Sequence, residues 1–481
     1  MKSKNNREKR ISYSEIRKDH WNNVALKYKG SKASTFYHGR LNGIYQFIIP
    51  QGLRIIEIGC SKGDLIASLK PSSGLGIDFS EEMIRQAKQN HPEIEFKLAD
   101  AHNLNLDRTF DIIILSDLVN DLWDVQTVFE QIKPLTTSKT RIILNVYSHL
   151  WELPLGLAKR FGLASPLLNQ NWLTVEDLTN LLEITDFEVI RNWPEIIWPF
   201  NTPLLEKFFN RFMGKIWPFK YFALTNFIIA RPKTHGTEDS AQPPSVSVIV
   251  PARNEAGNIE KIIERTPDMG SWTEIIFVEG HSTDNTFDVL KDITSHYKQR
   301  KIKLLQQKGV GKGDAVRLGF SEAQGDILMI LDADMTVPPE NLPRFYEAIK
   351  SGKGEFINGV RLVYPMEKQA MRYLNLMGNK FFSLTFSWLL GQPIKDTLCG
   401  TKVLWKDGYK RIADNRSYFG DFDPFGDFDL LFGAAKLNLK FVEIPIRYAE
   451  RMYGSTNIDR WKHGWLLLRM VIFAANKIKF I

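Results

Sequence analysis

Two aspartates one residue apart, Asp332 and Asp334, follow the continuous apolar run 327–331. Side chains two apart on an extended segment point the same way, so this spacing predicts two carboxylates that reach one ion together. Carboxylate oxygens suit a hard cation such as magnesium or manganese. A cation there offsets the charge on a departing diphosphate. An isolated Asp-x-Asp is weak, because an acidic turn after a strand carries the same letters. Its neighbours share its chemistry. Gly309-Val310-Gly311-Lys312-Gly313 opens a helical stretch, where backbone N–H groups and a cation converge on phosphate. It lacks the full P-loop pattern, which argues against an ATPase. Pro251-Ala252-Arg253-Asn254-Glu255 and Glu279-Gly280-His281-Ser282-Thr283-Asp284 each follow an apolar run in the same way.

The first half holds a second set. Residues 53–59 read as a buried strand that enters the turn Gly59-Cys60-Ser61-Lys62-Gly63. Glycine there lets a ligand approach the backbone. A strand at 73–77 ends in Asp78, placed as a carboxylate that binds two ribose hydroxyls is placed. Strands at 95–98 and 110–115 end in Asp100-Ala101 and Ser116-Asp117. The Gly-x-x-x-Gly spacing departs from the nicotinamide pattern Gly-x-Gly-x-x-Gly, which makes that fold the competing reading. Asp117, Asp121 and His149 are candidate general bases, though caps and surface residues have the same composition.

The elements that must position these groups alternate strand and helix in both halves, which predicts two Rossmann-like α/β domains with mostly parallel sheets. The chain has 481 residues, enough for two or three cores. A net charge of +8 suits anionic substrates or anionic membrane surfaces and is too small to argue for nucleic acid. Cys60 and Cys399 lie far apart, so a disulfide framework is not expected, and the cytoplasm is the expected compartment. Residues 1–10 read as a disordered basic leader, and 13–45 as helical with Trp21, Val24, Ala25 and Tyr28 on one face. Residues 232–244 are polar and bear proline, which marks a linker between domains at 1–231 and 245–481. Residues 193–222 are rich in Trp and Phe and read as a cover for an acceptor pocket or a cap on the sheet. No stretch is long and apolar enough to span a bilayer. Residues 373–390 and the amphipathic 458–480 are suited to peripheral contact with its inner face or to packing on protein.

The first half resembles the class I S-adenosylmethionine-dependent methyltransferases, through Glu57-Ile58-Gly59-Cys60-Ser61-Lys62-Gly63, Asp78, Asp100-Ala101 and Phe110-Asp111. The resemblance implies that Gly59 and Gly63 line the methionine moiety, Asp78 holds the ribose, Asp100 with Ala101 the adenine, and Glu57 orients the turn. Ser116 completes the row of polar strand ends. Methyl transfer from a sulfonium proceeds mainly by positioning, so no base is strictly required. The second half resembles the inverting family 2 glycosyltransferases of GT-A fold, through residues 251–255, 279–284, 311–313 and 332–334 with Pro338-Pro339-Glu340. That implies nucleoside contacts from Pro251, Arg253, Glu255 and Glu279, and metal and diphosphate contacts from Asp332, Asp334 and Lys312.

The later part looks like the polyprenyl-phosphate branch typified by dolichol-phosphate mannose synthase. By that likeness Arg361, Arg372 and Arg451 hold phosphates, for which the planar guanidinium fork is suited. Glu279-Gly280, Thr336 and Thr456 depart from that branch and put the lipid-phosphate acceptor in question. A hydroxyl acceptor needs a base, for which Asp423, Asp427 and Asp429 are the candidates, whereas a phosphate needs none. The expected protein is bifunctional. It pairs metal-dependent sugar transfer to a lipid phosphate or glycan with methylation, in surface glycan or glycolipid synthesis. The rivals are a nucleotidyltransferase in the second half and an S-adenosylmethionine-binding module without turnover in the first.

Overall fold

In a computed structural model the chain divides into two compact units, with the division between Lys233 and Thr234 and with Phe480 grouped with the first. The described residues are 2–27, 30–161, 168–234, 242–361, 363, 373–418, 426–447, 453 and 460–480. Residues 235–241 of the expected linker lie outside them.

The first unit is built on seven strands: β1 (Arg54–Ile58), β2 (Ser73–Asp78), β3 (Glu95–Leu98), β4 (Ile112–Ser116), β5 (Arg141–Tyr147), β6 (Phe187–Glu195) and β7 (Thr225–Pro232). Their order is β3-β2-β1-β4-β5-β7-β6. The first five are parallel; β7 runs antiparallel between β5 and β6. This is the class I methyltransferase fold. Alternate residues of β1 and β4 enter cores on opposite faces, Ile56, Ile58, Ile113 and Leu115 on one and Ile55, Ile112 and Ile114 on the other. Burial on both faces is why these strands read as unbroken apolar runs.

The second unit also has seven: β8 (Val246–Ala252), β9 (Thr273–Glu279), β10 (Lys301–Gln306), β11 (Ile327–Ile330), β12 (Phe356–Val360), β13 (Lys402–Trp405) and β14 (Phe441–Pro445). Their order is β10-β9-β8-β11-β13-β12-β14, with β13 antiparallel to both neighbours. This mixed sheet is the GT-A arrangement. The order of parallel strands reverses between β1 and β4 in the first sheet and between β8 and β11 in the second. Crevices at such reversals, beyond the strands' carboxyl ends, are where open α/β sheets bind ligands.

Three expectations change. The basic leader is not a separate tail: it joins the helix Lys2–Lys27, since Lys, Arg and Glu lose little rotamer freedom in a helix and the chain beyond is anchored. The single helix over 13–45 is two, because Gly30 takes φ +81° and Ser31 caps the helix Lys32–Ile48, accepting a hydrogen bond from Ser34 N. Asp332 and Asp334 do not continue an extended strand. β11 stops at Ile330; a turn follows, closed by Met335 N donating to Asp332 O at 3.2 Å with Met335 at φ +52°. Strand alternation therefore does not set their directions. Among the described residues no helix is long and apolar enough to cross a membrane.

Candidate functional site

In the first unit the exits of β1, β2 and β3 surround a cleft of about 460 Å³, open mouth included, lined by Gly59, Asp78, Asp100 and Ala101. Gly59 and Gly63 hold φ +77° and +81°, the left-handed region glycine tolerates. A Cβ on Gly59 would stand 2.8 Å from Leu118 Cδ1, so the exits of β1 and β4 nearly touch. Buried Asp78 accepts from Ser61 N and Ser80 N, both at 2.9 Å. Burial raises its pKa to about 6 despite those bonds. Glu57 is buried behind the turn and accepts from Ile66 N at 3.1 Å, so it ties the turn to the helix Asp64–Ser68. Burial pushes its pKa well above the ordinary carboxylate value, with the Ile66 bond opposing. Asp100 accepts from His102 N at 2.9 Å and meets its ring Nδ1 at 2.7 Å. Burial works against its charge, but the His102 contacts bring its pKa below the usual value. Ser116 donates to Asn145 Oδ1 at 3.0 Å and does not line the cleft.

Asp117, Asp121 and His149 separate clearly. Both Asp121 oxygens are engaged, by Arg17 Nε and Trp21 Nε1, each at 2.8 Å. His149 is largely exposed beside Glu152. Asp117, at φ +52°, accepts from Tyr37 and Asn145 on Oδ1, whereas its buried Oδ2 has no hydrogen-bond partner. Burial raises its pKa, partly offset by His38. One wall of the cleft was missed in the sequence. Tyr13, Ser14 and Arg17 of the first helix line it with Trp123. Arg17 stacks 3.6 Å from the Tyr13 ring centroid. The four-residue spacing of Tyr13, Arg17 and Trp21 was the available signal for one face.

In the second unit a chain of contacts crosses four neighbouring parallel strand ends. Gly280 N donates to Ala252 O at 2.9 Å, and Asn254 receives Thr283 N at 2.8 Å, which joins the exits of β8 and β9. Pro251 lies within β8, Arg253 is exposed at its exit, and Glu255 is buried, accepting from Asn258 Nδ2 at 2.8 Å. Glu279 accepts from Ser282 N at 2.6 Å and from Gln306 Nε2 at 3.1 Å, joining β9 to β10. Burial disfavours its charge, but these bonds lower its pKa. Lys312, first in the helix Lys312–Glu322, places Nζ 2.5 Å from Asp332 Oδ1, joining the β10 loop to β11. Burial opposes ionisation of Asp332, yet Lys312, with help from Lys402 and Arg361, carries its pKa below the ordinary value. Asp334 Oδ1 accepts from Thr336 N and Oγ1 at 3.1 and 2.8 Å. Asn254, His281 and Met335 adopt positive φ at three of these exits, a strain that surrounding contacts must hold.

Arg361 is already bidentate to fully buried Asp396, Nε at 2.7 Å and Nη2 at 2.8 Å. Asp429 is held by Arg416 Nε at 2.9 Å. Arg372, Arg451 and Asp423 lie outside the described residues, and of Asp427 only the backbone, first in the helix Asp427–Lys436, is described. Among the described residues no three His, Cys, Asp or Glu side chains cluster as a metal cage. Asp332, beside Lys312, and Asp334 two residues on are oxygen donors of the kind magnesium takes when a bound diphosphate completes its shell.

Gly400 is packed against that carboxylate: its Cβ position lies 1.9 Å from Asp332 Oδ2. In Gly400→Ala the Asp332 carboxylate must swing aside. Any turnover that uses the Asp332 carboxylate is expected to fall roughly 10²-fold, the cost of about 1 Å of misplacement. Circular dichroism should show an intact fold, because only a side-chain tip has to move.

Residues 49–186 match the family model described as a methyltransferase domain, and 247–413 that of glycosyl transferase family 2. The chain therefore carries a methyltransferase domain followed by a family 2 glycosyltransferase domain. The second is similar to the dolichol-phosphate mannosyltransferase of Pyrococcus furiosus, 38% identical over 22% of this chain and 30% of that protein. It is also similar to the undecaprenyl-phosphate 4-deoxy-4-formamido-L-arabinose transferase of Edwardsiella ictaluri, 32% identical over 45% of this chain and 64% of that one. The chain thus spans less than two thirds of either relative. Among solved structures, an S-adenosylmethionine-dependent methyltransferase from Mesorhizobium loti is 20% identical with a TM-score of 0.31, covering 39% of this chain and 96% of that one.

Proposed function

We propose that the second domain transfers a sugar from a nucleotide diphosphate to a lipid phosphate or glycan, and that the first methylates an acceptor of the same pathway. The domains are assigned to 245–481 and 1–231, with 232–244 as the linker, whose first residue, Pro232, still closes β7. One observation carries the sugar-transfer reading: the exits of β10, β9, β8 and β11, adjacent and parallel, bear Lys312, Glu279, Arg253 with Glu255, and Asp332 with Asp334. Pro251, Arg253, Glu255 and Glu279 bind the nucleoside. Lys312 sits at a helix N-terminus, where its ammonium and the backbone N–H groups receive phosphate. Asp332 and Asp334 hold a magnesium or manganese ion, which when bound supplies charge to the leaving diphosphate. The acceptor displaces that group in one step with inversion. A phosphate acceptor is already anionic; a hydroxyl acceptor gives its proton to Asp427. Of the three arginines, Arg372 and Arg451 are assigned to phosphate, and Arg361 anchors the Asp396 loop.

In the first domain Asp78 takes the ribose, Asp100 and Ala101 the adenine, and Gly59 and Gly63 the methionine portion of S-adenosylmethionine, which when bound supplies the methyl group. Glu57 and Ser116 support the strand exits. Carboxylates at two strand ends and aromatic walls in the cleft support this reading. The helices Tyr373–Leu390 and Arg460–Ala474 make peripheral contact with the cytoplasmic face of the membrane, the latter through exposed Trp465 and Ile472.

The test is a panel of nucleotide sugars with manganese and a polyprenyl phosphate. Nucleoside diphosphate is the expected product, whereas pyrophosphate would replace this reading with nucleotidyl transfer. S-adenosylhomocysteine should form when an acceptor of the same pathway is present. Binding without such turnover would reduce the first domain to a sensor.

A further inference from the structure

The first unit carries an apolar surface that its core leaves uncovered. In the helix Glu152–Arg160 Leu155 is partly buried against the core and no side chain is fully buried. Leu150, Leu153, Leu157 and Phe161 recur at intervals of three or four, and are 61, 80, 58 and 74% exposed. An amphipathic helix on a globular domain normally turns that stripe inward; this one turns it out. Leu204 and Phe208 form a second outward pair at an interval of four, Phe212 one step on meets the Phe480 ring at 5.4 Å, and Trp217 beyond them is 72% exposed. The two segments are neighbours. Trp151 Nε1 donates to Phe222 O at 2.9 Å, and Ser148 N to Leu224 O at 2.8 Å. Single exposed apolar residues need no explanation, whereas runs of them at helical spacing mark an interaction site.

Charge selects the occupant. Outside the buried Lys215–Glu195 pair, segments 149–161 and 204–222 hold five cations, Lys159, Arg160, Lys207, Arg211 and Lys220, against two carboxylates, Glu152 and Glu206. A second copy would set like charges against each other, since a two-fold interface pairs one patch with itself. Aliphatic stripes, aromatic rings and interspersed Lys and Arg are the combination that settles into a lipid interface. We propose that the first unit docks on an anionic bilayer through this surface. The segments follow β5 and precede β7, so they border the sheet edge that bears Asp78 and Asp117. It follows, resting on the methyl-transfer reading, that the methyl acceptor is presented by the membrane.

The full chain would be sedimented with vesicles of phosphatidylcholine plus phosphatidylglycerol and with phosphatidylcholine alone, cofactor absent. Leu153→Glu with Leu157→Glu is expected to weaken binding to the anionic vesicles roughly tenfold or more, as is Phe208→Glu with Trp217→Ser. Binding should also weaken as salt screens the cations. Ile472→Glu is the comparison in the second unit. The proposal falls if only Ile472→Glu reduces binding. It also falls if sedimentation velocity shows a wild-type dimer that the Leu153/Leu157 variant dissociates, which would assign the surface to a second copy. Because no turnover is measured, failure here leaves the methyltransferase reading standing, and failure of that reading leaves the docking result intact.

Discussion

Asp334→Asn is expected to lower metal-dependent sugar transfer by roughly 10²–10³-fold, the scale on which one electrostatic contact to a developing charge acts. The substitution is nearly isosteric. Its amide oxygen can keep the bonds from Thr336 N and Oγ1, so the turn after β11 should stay in place. What disappears is the negative charge. Nucleoside diphosphate release across a manganese titration checks this. Metal-independent turnover, equal in variant and wild type, would remove the assigned role. Asp332→Asn should behave differently, because it also takes the carboxylate away from Lys312 Nζ at 2.5 Å. Thermal denaturation should therefore record a larger loss of stability for Asp332→Asn than for Asp334→Asn.

The second large effect concerns Asp78, whose burial raises its pKa to about 6. A ribose hydroxyl donates to the charged form, so affinity for S-adenosylhomocysteine is expected to be level above pH 6. It should then fall about tenfold per pH unit below that value. Asp78→Asn should flatten the profile and weaken binding roughly 10–100-fold, the range for losing a hydrogen bond to a charged group. Calorimetric titration between pH 5 and 8 measures both, and a level wild-type profile would exclude the contact. For the unliganded protein the sign is opposite. The folded pKa lies above the unfolded value near 3.8, so the group's contribution is greatest at acid pH and is lost as pH rises through about 6, by up to about 3 kcal/mol. Ligand and fold thus pull this carboxylate in opposite directions.

The strand ends were legible because each buried strand is an apolar run that stops at a glycine or a charge. Ile327–Ile330 before Asp332 and Arg54–Ile58 before Gly59 are the clearest examples. Strands without a distinctive exit were not read. Arg141–Tyr147 is as apolar as β4 but ends in Tyr147, and the four residues of Lys402–Trp405 are too few for periodicity to register. Contacts distant in sequence were equally hidden: Arg17 meets Asp121 across 104 positions, and this pairing places the first helix at the cleft. The direction of Asp332 and Asp334 could not be inferred from alternation, since the pleat ends before them. The pairing of Arg361 with Asp396 was hidden as well, because an arginine promised to phosphate and one neutralising a buried carboxylate look alike in sequence.

Gly426, at φ +72°, leaves no room beside Gly313: a Cβ there would stand 2.6 Å from the Gly313 Cα. Here main chain meets main chain, with no flexible side chain between to absorb a shift. A displacement of the turn at Lys312 would therefore press on the start of the helix that begins with Asp427. On the proposed function, the donor-side Lys312 and the acceptor-side Asp427 would then stand on two segments in direct main-chain contact, and an ordered entry of substrates would be the expected kinetic pattern.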